Sequence, residues 1–157
     1  MATNRTLIAY ETKLGATEET AQKMADVLRS KFQLEVDLIN LKNVPAPDLT
    51  VYRNVVVGAG VRGGRIYGGA LKFLKQDFSD KNVAFYTCSS WAGTPGSYEN
   101  AKKNYIEKTL SKYPNVKFVG AEALGGRIRY FGKTMLDNRD PVKVEAWAEE
   151  LGKEFIQ

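Results

Sequence analysis

The chain has no histidine and a single cysteine. Without histidine there is no Ser-His-Asp or Cys-His nucleophile, no imidazole metal ligand and no imidazole acid–base chemistry. Cys88 has no second thiol to pair with, so an intramolecular disulfide is excluded. No apolar run approaches the ~20 residues of a membrane span. The opening MATNRTLIAY lacks the apolar stretch of a secretory signal, and a cytoplasmic location is the expectation. Asn4-Arg5-Thr6 fits a glycosylation pattern but reads as chance in this context. Repeats, low-complexity tracts, internal linkers and a Walker-type phosphate loop are all missing. Net charge is only +5. That favours solubility and acidic partners, not nucleic acid.

At 157 residues the chain suits one domain. A chain of this size buries roughly 70% of its unfolded surface. Apolar content of 43% and charged content of 26% are ordinary for a globular protein. Strands are expected at 6–10, 34–41, 54–60, 82–90 and 115–124. Helices are expected after 15, at 69–78, at 98–113 and from Pro141. Ala21, Met24, Ala25, Leu28 and Phe32 share one helical face, as do Val144, Trp147, Ala148, Leu151 and Phe155. The run NVVVGAG at 54–60 is apolar on both sides, as in a buried parallel sheet. Strictly alternating strands and helices imply a five-stranded parallel sheet between two helical layers, in the order 2-1-3-4-5. Ligands of such sheets bind beyond the C-terminal strand ends.

The strand-end loops are where the composition departs from the ordinary. The loop after the third strand, GAGVRGGRIYGG, has six glycines in 12 residues. CSSWAGTPGS follows the fourth strand, and a 16-residue segment, GGRIRYFGKTMLDNRD, follows the fifth. The last exceeds an ordinary connection, which favours a binding role. The first loop, Thr12-Lys13-Leu14-Gly15-Ala16-Thr17, opens the first helix. A helix N-terminus presents unpaired N–H donors and partial positive charge, which suit an anion. The plain alternative is a helix cap and a turn.

Thr12-x-x-Gly15-x-Thr17 after the first strand resembles the phosphate loop of the flavodoxins, whose pattern is Thr/Ser-x-Thr-Gly-x-Thr. It departs at Leu14, where many flavodoxins carry a hydroxyl. The segment VVVGAGVRGGRIYGGALKFLK resembles the branch that includes flavodoxin-like protoporphyrinogen oxidases. The uninterrupted fifth strand resembles the short-chain members. The resemblance implies a flavodoxin-like three-layer sandwich over 1–157 holding non-covalent FMN. Thr12, Lys13, Leu14, Gly15, Ala16 and Thr17 would hold the phosphate. Gly60, Val61, Arg62, Gly63 and Gly64 would face one side of the isoalloxazine, with a peptide there able to turn and stabilise a semiquinone. Ser89, Ser90, Trp91, Ala92 and Gly93 would line the other side, Trp91 as the stacking candidate, with Tyr67 and Tyr98 as weaker ones.

Two rival signals are set aside. Gly58-Ala59-Gly60-Val61-Arg62-Gly63 fits a dinucleotide fingerprint, but no helix opens at its third glycine and no acidic residue ends a following strand. Cys88 reads as a small buried thiol. The loops are basic: Lys13, Arg62, Arg65, Arg127, Arg129 and Lys133 against Glu11, Asp137 and Asp140. Arg65, Arg127 and Arg129 are the expected contacts for redox proteins with acidic surfaces. Three functions stay open: an electron carrier between redox proteins, a quinone- or protoporphyrinogen-linked FMN oxidoreductase, and a non-redox binding module.

Overall fold

The computed structural model describes residues 4–12, 15–45 and 47–157. Strand β1 (Arg5–Glu11) leads to helix α1 (Ala16–Phe32) and strand β2 (Glu35–Asn40). Strand β3 (Asn54–Arg62) turns back into the short β4 (Arg65–Ile66) before helix α2 (Gly68–Phe73). Strand β5 (Asn82–Cys88) is followed by the single turn α3 (Ser90–Gly93). A continuous helix then runs through α4 (Tyr98–Ala101), a π-helical stretch (Lys102–Glu107) and α5 (Lys108–Ser111). Strand β6 (Phe118–Leu124), the hairpin β7 (Arg127–Tyr130) and β8 (Lys133–Asp137), and helix α6 (Pro141–Phe155) complete the chain.

The parallel strands lie in the order β2-β1-β3-β5-β6. Numbered among themselves they give 2-1-3-4-5, as the alternation predicts. Side chains alternate across a strand with period two, so one strand serves two cores. Ile8, Tyr10, Val56 and Tyr86 pack under α1 and α6 with Met24, Leu28, Trp147 and Leu151. Leu7, Val55, Val57 and Phe85 pack on the opposite face with Phe73, Tyr105 and Ile106. In-register neighbours such as Ile8, Leu38 and Val56 fix the alignment of the three central strands. Gly58 sits mid-strand because its missing side chain is where the ring of Tyr86 lies.

The N-terminal ends of the strands are laced by amides. Asn54, fully buried, donates to Asn4 at 3.0 Å and to the Thr6 hydroxyl at 3.1 Å, and accepts from Asn82 at 3.1 Å. Nearby, the Arg53 N–H bonds the Arg5 carbonyl at 3.0 Å, and its guanidinium reaches the Gln157 carbonyl at 3.1 Å. The first strand and the last residue therefore meet at this end of the sheet.

Three expectations are revised. The predicted helix 69–78 ends at Phe73, and the chain leaves through tight bonds from Lys75 to Lys72 and Gln76 to Phe73, with Phe78 edge-on to Phe73. The strand expected to reach 90 stops at Cys88, because Ser89 caps α3 by accepting the Ala92 N–H. The segment 125–140, read as a loop, contains an antiparallel hairpin. Its turn places Phe131 at φ 49° and Gly132 at φ 78°, while Gly63 and Gly64 do the same at 57° and 77°. Both turns have the two positive φ values of a type I′ hairpin. Among the described residues, no helix is long and apolar enough to cross a membrane.

Candidate functional site

Three of the strand-end loops converge at the C-terminal edge of β1, β3 and β5. Gly15 stands at the N-cap of α1 with φ 86°, a conformation that suits glycine. The first helical bond runs from the Glu19 N–H to the Gly15 carbonyl at 2.9 Å. The N–H groups of Ala16, Thr17 and Glu18 precede that bond and lie at the N-terminal end of the helix, where helical N–H groups lack an intrahelical partner. Thr12 is nearly buried, and its hydroxyl accepts the Gly15 N–H at 3.0 Å, which curls the loop inward. Ala16 and Thr17 are buried at the same end. Lys13 and Leu14, expected in this loop, lie outside the described residues.

The first turn is held from below. The Tyr86 hydroxyl rises from β5 and donates to the Thr17 carbonyl at 3.1 Å. The Cys88 thiol donates to the Thr20 hydroxyl at 3.6 Å. Burial pushes that thiol up to about 11, while its hydrogen bonding with Thr20 and Thr17 pulls the other way. Cys88 thus stays a neutral, enclosed thiol at physiological pH, as its plain reading suggests. Tyr10, pushed up to about 12 first by burial and then by Glu18, likewise stays protonated and donates to Glu18 at 3.0 Å.

A cleft of about 710 Å³ opens beside this seat. One wall is the turn at 61–64 with Tyr67; the other is 89–91 with Thr94 and Tyr105. Arg127, Ile128, Arg129 and Phe131 of the hairpin close it. A cavity of about 60 Å³, touching Thr12, Thr17, Gly60, Cys88 and Arg127, connects the cleft to the helix end. Cleft size and mixed lining suit a flat organic ligand. Gly60 is small because a Cβ there would stand 2.9 Å from the Tyr67 ring and 3.3 Å from the Thr17 hydroxyl. Trp91, 39% exposed, stands edge-on to Tyr105 with centroids 5.7 Å apart.

Most of the expected residues meet here: Thr12, Gly15, Ala16, Thr17, Gly60, Val61, Arg62, Gly63, Gly64, Ser89, Ser90 and Trp91. Others do not. Ala92 turns into the core, and Gly93 backs onto the Asn138 side chain. Tyr98 points away, hydrogen-bonded to Glu122 with the Lys143 ammonium 4.0 Å over its ring. Arg65 and Arg129 are exposed as a rim requires, but Arg127 is not a rim residue. Its side chain is 8% exposed, 3.3 Å from Glu19. The cause is local. Gly126 packs on the Ser89 backbone, and Asn138 clamps it by accepting its N–H at 3.1 Å and donating to the Ser90 carbonyl at 2.7 Å. Arg127 therefore leaves the sheet already inside the cleft.

Sequence reasoning missed Asn138, Tyr105 and the Glu19–Arg127–Arg139 cluster. The paired Gly125-Gly126 was the available signal for a close backbone approach.

The sequence profile of the flavodoxin domain family matches residues 7–143. A protoporphyrinogen IX dehydrogenase (quinone) of Escherichia coli strain K12 is 28% identical over 109 residues. That alignment covers 68% of this chain and only 60% of the relative. Oxidised flavodoxin 2 from Bacillus cereus superposes with a TM-score of 0.68 at 22% identity, over 96% of this chain and 99% of that one. The rubredoxin oxygen:oxidoreductase of Desulfovibrio gigas superposes with a TM-score of 0.70 at 15% identity, over 99% of this chain but 37% of the larger protein. With the profile spanning all five parallel strands and the loops between them, the chain belongs to the flavodoxin domain family.

Proposed function

We propose that this protein binds FMN without a covalent bond and carries electrons between redox proteins. The observation that carries the reading is the joining of two features. The helix end at Gly15–Thr17 would serve as a donor-rich anion seat, beside a cleft flanked by the 61–64 turn and Trp91, with Thr12 and Gly60 between them. A mononucleotide flavin needs both: N–H donors for its phosphate and a slot with aromatic and backbone walls for its ring. Membership of the flavodoxin family supports the same cofactor. FMN would supply reversible electron storage. The residues here would hold its phosphate, cover its ring with Trp91 and limit water through Tyr67 and the hairpin.

Arg62, Arg65, Arg129 and Lys133 are exposed around the mouth. They would attract an acidic redox partner and orient its approach. Cytoplasmic action fits this role and the absence of a membrane-crossing helix among the described residues.

A second reading has its own support. Arg129 and Phe131 of the hairpin stand over the cleft, and the E. coli relative is named for a quinone-linked dehydrogenation. An enzyme on this scaffold would use the hairpin as a substrate wall, its arginines holding carboxylates.

The deciding experiment starts with the chromophore. Denaturing the purified protein should release FMN quantitatively; FAD, or flavin retained on the chain, overturns the proposal. Riboflavin should bind far more weakly, because the seat donors then lack a partner, each worth ~1.5–3 kcal/mol to a charged group. Thr17→Ala should weaken FMN more than Lys13→Ala. A carrier should accept electrons singly, react fast with a reduced redox protein and turn over porphyrinogens or quinones poorly. Rapid, saturable porphyrinogen oxidation would establish the second reading instead.

A further inference from the structure

We propose that the Tyr105 hydroxyl sets ligand specificity in the cleft by donating to a ring carbonyl of the flat ligand, and that the π-helical stretch carrying Tyr105 holds it there. This rests on the flavin reading above and concerns the ring of that cofactor, not its phosphate. Tyrosine hydroxyls elsewhere in this fold find protein acceptors. Tyr10 donates to Glu18 at 3.0 Å, Tyr52 to Asp37 at 2.7 Å, Tyr86 to the Thr17 carbonyl at 3.1 Å, Tyr113 to the Leu71 carbonyl at 3.1 Å, and Tyr98 to Glu122. Tyr105 enters side-chain hydrogen bonding only through its backbone carbonyl, and its hydroxyl has no partner among the described residues. The residue is nevertheless only 5% exposed, and it lines the cleft. Buried polar groups are normally satisfied. The hydroxyl is not one of the sealed, partnerless side-chain atoms of the interior, so it has an opening, and that opening is the cleft. Burial holds the phenol pKa above its ordinary value; the group stays protonated at physiological pH and offers a donor.

The position of that hydroxyl is fixed from two directions. The ring stands edge-on to Trp91, with centroids 5.7 Å apart and planes at 66°, which packs it against the wall that Trp91 forms. Its backbone lies in the π-helical stretch Lys102–Glu107, where the Lys108 N–H reaches the Lys103 carbonyl, five residues back instead of four. Such a turn is an uncommon departure from the α-helix and is frequent at functional sites. Side chains cover backbone carbonyls on either side of the shift. The Asn104 amide donates to the Asn100 carbonyl at 2.8 Å, and the buried Thr109 hydroxyl donates to the Tyr105 carbonyl at 2.7 Å. The chain thus supports an irregular turn and at the same place leaves a phenol without a protein acceptor. A ring packed on its apolar edge with its polar tip unspent is suited to a ligand that is flat and ends in an acceptor. The isoalloxazine ring is such a ligand, with carbonyls at one end. Those carbonyls gain electron density on reduction, so a donor beside one favours the reduced form.

The test is Tyr105→Phe, which keeps the ring and its contact with Trp91 and removes only the hydroxyl. Dissociation constants for FMN and riboflavin are measured by flavin fluorescence on apoprotein, and the midpoint potential of the FMN-loaded protein is measured against a reference dye. Both flavins should bind about 3- to 10-fold more weakly, and by the same factor, because the lost bond is to the ring that they share. The midpoint potential should fall, a change that loss of packing alone does not give. The urea midpoint of the apoprotein should stay level or rise, since the hydroxyl leaves no protein partner behind. Unchanged affinities, a loss confined to FMN, or a potential that stays level or rises would overturn the proposal. A variant that unfolds, or a lower urea midpoint, would show that the hydroxyl serves the protein and would overturn it as well. If wild type binds neither flavin, the cofactor reading itself has failed, which is a separate outcome.

Discussion

Tyr86 and Gly58 share one volume in the middle of the sheet, and the phenol that occupies it ends on the Thr17 carbonyl. A core residue thereby sets the height of the candidate phosphate seat. Tyr86→Phe keeps the ring and its edge contact with Trp147, whose centroid is 6.0 Å away, but removes the hydroxyl. The expected cost is about 1 kcal/mol of unfolding free energy, read from urea titration, with a several-fold loss of FMN affinity as the first turn relaxes. Unchanged affinity would show that the seat is held by the loop alone. Gly58→Ala should be far worse, since a methyl group there has nowhere to go but into the ring.

Among the elements, the two ends of the sheet have separate tasks. The N-terminal ends carry the Asn54 amide chain, remote from the cleft. Asn54→Ala should cost about 1–3 kcal/mol, because Thr6 and Asn82 lose buried partners. FMN affinity measured on the folded protein should hold; a parallel loss would mean that the two ends are coupled through the strands. Helices α1 and α6 and the central strands were legible because burial on one or two faces writes a period into the sequence. Val55, Val56 and Val57 leave little choice but a doubly covered strand. The β7–β8 hairpin was not legible: its turn puts Phe131 at positive φ, and no residue preference announces that. The π-helical stretch holding Tyr105 also escaped, since Tyr105 and Ile106 are apolar in any helical reading. For the candidate site, the glycines and threonines pointed to loops that the fold brings to one cleft. Arg127 was misplaced because a sequence gives its loop but not that Gly126 is pinned on Ser89.

At the scale of the molecule, the net charge of +5 includes the exposed Arg62, Arg65, Arg129 and Lys133 around the cleft mouth, which the proposed carrier role would use. Charge reversal in Arg65→Glu/Arg129→Glu should slow electron transfer with an acidic donor and leave FMN affinity nearly intact. The wild-type association rate should fall as salt rises, since screening acts within ~10 Å at 0.1 M. Stopped-flow reduction at several ionic strengths checks both; a rate indifferent to salt and to the substitutions would make the rim ordinary surface charge. The meeting of Arg5 and Gln157 around Arg53 bears on how the order of the elements could be rearranged. Arg5 and Gln157 are neighbours on the side away from the cleft, while the Phe131–Gly132 turn is a solvent-facing tip. A circular permutant, joined by a short linker across Arg53 and reopened at that tip, keeps every strand of the parallel sheet in place. Only the hairpin would then be divided, with β7 ending one terminus and β8 starting the other, so the cleft's third wall becomes a pair of free arms whose contribution to ligand binding can be removed one arm at a time.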